Sequence, residues 1–132
     1  AVYQKIMTIF FMFNNNLRLD MAIKINTLFS SGYNPSNITV VNTYKENYDV
    51  YIGRGSLWGN PFPVADYGRE PCIQMYREYI LKRLREENEM LMNLLNLQGK
   101  KLGCFCKPKH CHGDELQQIL NHYLDTGSLP EE

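Results

Sequence analysis

No charge of one sign prevails in this sequence. Its 14 Lys and Arg stand against 14 Asp and Glu, for a formal net charge of zero. A chain coated in basic surface, as a general duplex binder needs, is excluded, although a local basic patch is not. Long apolar runs are also missing. The apolar-rich stretch Ile6 to Phe13 is far below the roughly 20 residues that cross a bilayer. One basic residue precedes it and no small-residue cleavage pattern follows, so neither a membrane span nor a secretory signal is expected. Internal repeats are absent, and low complexity is confined to Asn14, Asn15 and Asn16. Cysteine is scarce and unevenly placed: Cys72 stands alone, while Cys104, Cys106 and Cys111 crowd together. A secreted disulfide scaffold spreads its cysteines to staple distant loops. The expected setting is therefore the cytoplasm.

What is present is enough for one domain. The 132 residues are 44% hydrophobic and can bury a sizeable core. The expected fold is α/β: a small single domain with a partly parallel sheet flanked by helices. Residues 1–36 read as an N-terminal extension, 37–125 as the α/β domain and 126–132 as a frayed tail. In the extension, Ile6 to Phe13 suits a buried strand or a segment outside the domain, and Leu17 to Ser30 has helical spacing that also admits a strand. Strands are expected at Ile38 to Val41, at Asp49 to Gly53 and at Lys101 to Cys106, the last with Leu102, Cys104 and Cys106 on one face. A long loop should run from Arg54 to Gly68. Pro71 should open a helix whose buried face is Ile73, Tyr76, Ile80 and Leu84. Helical periodicity continues through Met90 to Leu95 toward a cap at Gly99. The last helix is expected from about Asp114 to Leu124, with Asp114 and Gln117 as a capping box.

Ligands of parallel sheets bind outside the carboxyl ends of strands. Two unusual segments lie at such ends. The first is Gly53-Arg54-Gly55-Ser56-Leu57-Trp58-Gly59-Asn60-Pro61-Phe62. Arg54 between glycines is suited to hold a phosphate or carboxylate with its planar fork of donors. Ser56 and Asn60 add polar contacts. Trp58 either stacks on a base or sugar or plugs the core, and the plug is the simpler role. The Gly-Lys-Ser/Thr ending of a P-loop is missing.

The second segment, Lys100 to Asp114, follows the spacing C-x-C-x4-C-H. Three readings compete. Cys104, Cys106, Cys111 and His112 have the donor types of a structural zinc site, but a one-residue gap on a strand chelates less naturally than a two- to four-residue knuckle. As a functional pocket, Cys111 and His112 at a helix start, with Cys106 facing the same space, would supply thiol and imidazole chemistry. Lys107 and Lys109 would add positive potential, and Asp114 would orient His112 or cap the helix. As plain packing, Cys104 is a small buried hydrophobe, and Cys72 on its helix is the same. A Cys106–Cys111 disulfide is not expected in a reducing compartment. No metal is favoured; zinc is the candidate cofactor if there is one.

Together the two segments resemble the family known as Domain of Unknown Function 4326, found in phages, other viruses, bacteria and archaea. The resemblance is carried by Gly53, Arg54, Ser56, Trp58, Gly59, Asn60, Pro61 and Phe62, by Tyr76-Arg77, and by Gly103, Cys104, Cys106, Pro108, Cys111, His112, Gly113 and Asp114. Phe105 stands where the family has Trp. The resemblance implies no particular activity; in a phage or viral setting the expected location is the host-cell cytoplasm. The leading expectation is a small protein that binds or acts on an anionic nucleotide-type ligand or a single-stranded nucleic-acid end. Arg54, Ser56, Trp58, Asn60, Lys107 and Lys109 would bind it, and Cys106, Cys111, His112 and Asp114 would act on it. The alternatives are a zinc-clamped module without catalysis and a factor that docks on a host protein.

Overall fold

The central strand of the sheet is the last one in sequence. The computed structural model describes residues 33–131. In it, β1 (Thr39–Asn42) and β2 (Val50–Tyr51) flank β3 (Lys101–Cys104), and both pairings are parallel. Val40 and Val50 lie level with Leu102, and Val41 and Tyr51 lie level with Gly103. Alternation along β3 then separates two faces. Leu102 and Cys104 face the core, where they are essentially fully buried. Gly103 faces the other way.

That second face explains Gly103. Residues 43–49 must carry the chain from the top of β1 to the bottom of β2, and they do so across β3. Thr43 N–H donates to the Cys104 carbonyl (3.0 Å) and Asp49 N–H to the Lys101 carbonyl (2.8 Å). The Tyr48 ring comes down on Gly103, where a Cβ would meet ring carbons at 2.6 Å. Tyr51, Phe105 and Tyr44 extend the same aromatic layer, with centroids 5.8 Å apart for Tyr51–Phe105 and 5.2 Å for Tyr44–Phe105.

Helices cover the core face. A four-residue helix, α1 (Val64–Tyr67), is followed by α2 (Arg69–Glu86), α3 (Asn88–Leu95) and α4 (His112–Thr126). The helix α2 buries Ile73, Tyr76, Ile80 and Leu84 as the spacing predicts, with Cys72 and Leu81 beside them. It starts at Arg69, two residues before Pro71, which sits in the first turn where no N–H is needed. The charged stretch after Lys82 contains a break: Glu87 is extended and separates α2 from α3. Gly99 adopts a left-handed conformation (φ 74°) four residues beyond α3, so it makes the turn into β3 and is not that helix's cap. The expected loop 54–68 contains α1, which is too short to leave a periodic signature.

Two more expectations are corrected at the ends. Cys106 lies beyond β3, in a turn, and only half-buried. The tail is docked: Leu129 packs on the core, Pro130 is buried and its carbonyl accepts from Arg85 Nη2 at 2.7 Å. At the other end, Ser36 is buried and its N–H donates to Asn121 Oδ1 of α4 at 3.1 Å. The expected extension lies almost entirely outside the described residues, including the strand at Ile6 to Phe13 and the helix at Leu17 to Ser30. No helix among the described residues is long and apolar enough to cross a membrane.

Candidate functional site

β2 and β3 are parallel neighbours, so the segments that follow them leave the sheet on the same side. They line one cavity of about 250 Å³. Gly53, Arg54 and Asn60 come from the first segment and Cys106, Cys111 and His112 from the second. The remaining wall includes Tyr51, Phe105, Cys104 and, from α2, Arg69 and Cys72.

The first segment is wound tightly. Ser56 Oγ donates to the Gly53 carbonyl at 2.5 Å, and Gly59 N–H donates to the Ser56 carbonyl at 3.0 Å. A Cβ on Gly59 would meet the Gly53 carbonyl oxygen at 2.7 Å, so the coil closes only around glycine. Arg54 staples the turn: Nη1 donates to the Asn60 carbonyl (2.7 Å) and Nη2 to the Phe62 carbonyl (3.0 Å). Asn60 is anchored in turn, its Nδ2 donating to Cys72 Sγ at 3.1 Å and its Oδ1 accepting from Phe62 N–H at 2.9 Å. Arg54 and Asn60 thus reach the cavity from a braced loop. Ser56 and Trp58 do not line it. Ser56 serves the turn, and Trp58 is 3% exposed in the core, with no ring face left for a base.

The second segment is organised by the start of α4. The helix begins at His112, two residues before the expected start, with Cys111 as its N-cap. Cys111 Sγ accepts from Gly113 N–H (3.2 Å), and Asp114 Oδ2 accepts from Cys111 N–H (3.0 Å). The capping box is therefore Cys111 with Asp114, not Asp114 with Gln117. Gln117 instead donates to the Ile38 carbonyl at 2.7 Å. The other Asp114 oxygen pairs with Lys107 Nζ. Asp114 is a cap and not a partner of the His112 ring, and Lys107 is neutralised beside the site. Lys109 is exposed, and neither lysine lines the cavity. The cations on its wall are Arg54 and Arg69. Arg69 Nη1 donates to the His110 carbonyl at 3.1 Å, which commits one of its five N–H donors.

His112 is 7% exposed, and its Nε2 lies 2.6 Å from the Ile52 carbonyl oxygen. A carbonyl only accepts, so Nε2 carries the proton and Nδ1 is the acceptor, 4.0 Å from Cys111 Sγ. Burial lowers the His112 pKa, the Arg54 charge lowers it further, and the hydrogen bond to Ile52 opposes both. With its pKa depressed in the fold, the unfolded chain binds more protons below about pH 6.5. Stability should therefore fall as pH drops through that value. Urea titrations at stepped pH should show a shallower dependence for His112→Gln, and an unchanged slope would show that His112 does not contribute.

Cys104 and Cys111 face each other, with sulfurs 3.1 Å apart. The Cys104 pKa is lowered to about 6, chiefly by the hydrogen bond from Cys111, against burial and with help from the Lys107 and Cys106 backbone N–H groups. Cys111, the donor, is pushed up by that bond and by burial. The close thiol pair is thus Cys104–Cys111, not Cys106–Cys111. His112 Nε2 is turned to Ile52, and among the described residues no three His, Cys, Asp or Glu groups gather to hold a metal.

Sequence reasoning missed Arg69, Tyr51, Phe105 and Cys72 as wall residues. It also missed how Tyr76 and Arg77 serve the site. Tyr76 hydroxyl donates to the Trp58 carbonyl at 2.8 Å, and its ring lies edge-on to His112 with centroids 5.0 Å apart. Arg77 pairs with the buried Glu115 of α4 at 2.9 Å.

Fold and site define a small parallel α/β protein with a partly cationic cavity at the carboxyl ends of its strands. The chain belongs to the family described as Domain of unknown function (DUF4326), which matches residues 38–122 and so spans the whole sheet and the cavity. It is similar to the "Uncharacterized 12.4 kDa protein in nrdA-td intergenic region" of Enterobacteria phage T4. The two are 40% identical over 82 residues, which are 62% of this chain and 76% of that protein. No solved structure matches the chain.

Proposed function

We propose that the cavity binds a small ligand of nucleotide type, with an anionic group held by Arg54 and Arg69 and a ring set against Tyr51 and Phe105. The observation that carries this reading is the convergence of two guanidinium groups and two aromatic rings on one concave wall. Guanidinium donors match phosphate geometry, and aromatic faces stack on bases. The volume of about 250 Å³ lies just under the roughly 300–1,000 Å³ of drug-sized pockets. It suits one nucleotide and not a dinucleotide cofactor. His112, neutral with Nδ1 as an acceptor, and the half-buried Cys106 thiol are the wall groups able to act on a bound molecule.

A strand end is favoured over a free mononucleotide by Tyr44. This ring is 84% exposed and continues the aromatic layer outward from Phe105, offering a platform for a second base. One calorimetric panel tests both points: nucleosides, nucleoside monophosphates and short single-stranded oligonucleotides against the native chain and Arg69→Gln. Monophosphates should bind at least about tenfold more tightly than nucleosides, and Arg69→Gln should remove about tenfold. Oligonucleotides should gain a further several-fold that Tyr44→Ala abolishes. Absence of binding by the whole panel would end the nucleotide reading; equal affinity for oligonucleotides and monophosphates would end only the strand-end version.

A further inference from the structure

We propose that Cys104 and Cys111 are a redox site, a dithiol that a small hydroperoxide converts reversibly into a disulfide within the cavity. Their sulfurs are already 3.1 Å apart, one at the end of β3 and the other at the N-cap of α4. A disulfide needs about 2.05 Å, so the two element ends have about 1 Å to close. Both residues are 1% exposed, yet both line the cavity, so an oxidant reaches them only through it. That selects for a small hydroperoxide over a bulky disulfide reagent. The other thiols are placed differently. Cys72 Sγ donates to the Phe62 carbonyl at 2.9 Å and accepts from Asn60 Nδ2 at 3.1 Å. Cys106 is half-buried and more open to solvent.

With hydrogen peroxide the chemistry balances as follows. Cys104, its proton released to solvent, attacks one peroxide oxygen, and the O–O bond breaks. Cys104 becomes a sulfenic acid, and the departing oxygen takes a proton from solvent and leaves as water. The thiolate that had accepted the Cys111 hydrogen bond is then gone, which removes the main cause of the raised Cys111 pKa. Cys111 passes its proton to His112 Nδ1, 4.0 Å away, and its sulfur attacks Cys104 Sγ. The S–O bond breaks, and the hydroxide recovers the proton from His112 and departs as a second water. Two thiols lose two electrons, one peroxide gains them, and an external dithiol reverses the bond by exchange.

The test uses the full chain, reduced, exposed to hydrogen peroxide, quenched with an alkylating agent and mapped without reduction by mass spectrometry. Cleavage after Lys101 and Lys109 leaves Cys104 and Cys106 on one peptide and Cys111 on the next. The mapping is therefore done in native chain and in Cys106→Ser. The expected product is about 2 Da lighter, joins those two peptides in both proteins and is restored by dithiothreitol. Cys104→Ser and Cys111→Ser should each abolish the link, while a bulky aromatic disulfide reagent should label Cys106 first. Should either serine variant fail to fold by circular dichroism, the Cys106→Ser map decides alone. A link that survives in Cys104→Ser, or irreversible sulfinic acid at Cys104 without any link, would overturn the proposal.

Discussion

Replacing Tyr76 with alanine is expected to lower the unfolding free energy by about 3–5 kcal/mol, the cost of removing a large aromatic from a closed core. Tyr76 is fully buried, and it joins three parts of the molecule. Its backbone belongs to α2, its hydroxyl donates to the Trp58 carbonyl of the first motif, and its ring meets His112 in the first turn of α4. Burial raises the phenol pKa well above its ordinary value, so the hydroxyl stays protonated and remains a donor throughout the physiological range. Tyr76→Phe isolates that donor. It keeps the ring and leaves the Trp58 carbonyl unpaired, at a cost of about 1–3 kcal/mol. Urea denaturation of the three proteins separates packing from hydrogen bonding. If Tyr76→Phe proved as stable as the native chain, the hydroxyl could not be what ties the Gly53–Phe62 loop to the helices.

Arg77→Ala should be the second severe change. Glu115 is 7% exposed, and its Oε2 lies 2.9 Å from Arg77 Nη1, so the substitution strands a carboxylate between α2 and α4. Breaking a fully buried pair costs about 3–5 kcal/mol. Here Arg77 keeps 19% side-chain exposure and His110 Nε2 stands 3.3 Å from Glu115 Oε1, so a loss of about 2–3 kcal/mol is expected. Glu115→Gln in the Arg77→Ala background should recover part of that loss. A double-mutant cycle measured by denaturant unfolding should return a coupling of at least about 1 kcal/mol. A coupling near zero would show that the pair is a bystander to helix docking.

These two neighbours illustrate what the sequence could and could not disclose. Tyr76 was legible as a core residue because Ile73, Tyr76, Ile80 and Leu84 recur at helical spacing. Its hydroxyl partner was not, since Trp58 is on a loop whose path depends on the whole fold. The first two strands were legible from short runs with β-branched residues, the third from the alternation of Leu102, Cys104 and Cys106, and the two motifs from glycines beside Arg54 and cysteines beside His112. The break at Glu87 was hidden because the apolar spacing of α2 continues into α3 without a glycine or proline. The start of α4 was misread because its cap is a sulfur, and cysteine is not among the residues ordinarily read as N-caps. At the site, Lys107 looked like a free cation, but Asp114 folds back on it. Arg69 gave no signal at all, because a cation in a helix's first turn looks like surface. It reaches the cavity only because the loop that carries α1 brings the start of α2 over the strand ends.

The order β1-β3-β2 has a kinetic consequence. Thr39 pairs with Lys101 and Val50 with Leu102, so each ladder among the described residues joins segments roughly 50–60 residues apart, and β1 and β2 pair with β3 and not with each other. A nascent chain that has not yet emerged as far as Lys101 holds β1 and β2 without the strand that both pair with among the described residues. This sheet, and the cavity at its strand ends, therefore wait on Lys101–Cys104. A long loop must close before the first of these ladder bonds returns anything, which is the entropic cost that slows folding in chains rich in non-local pairing.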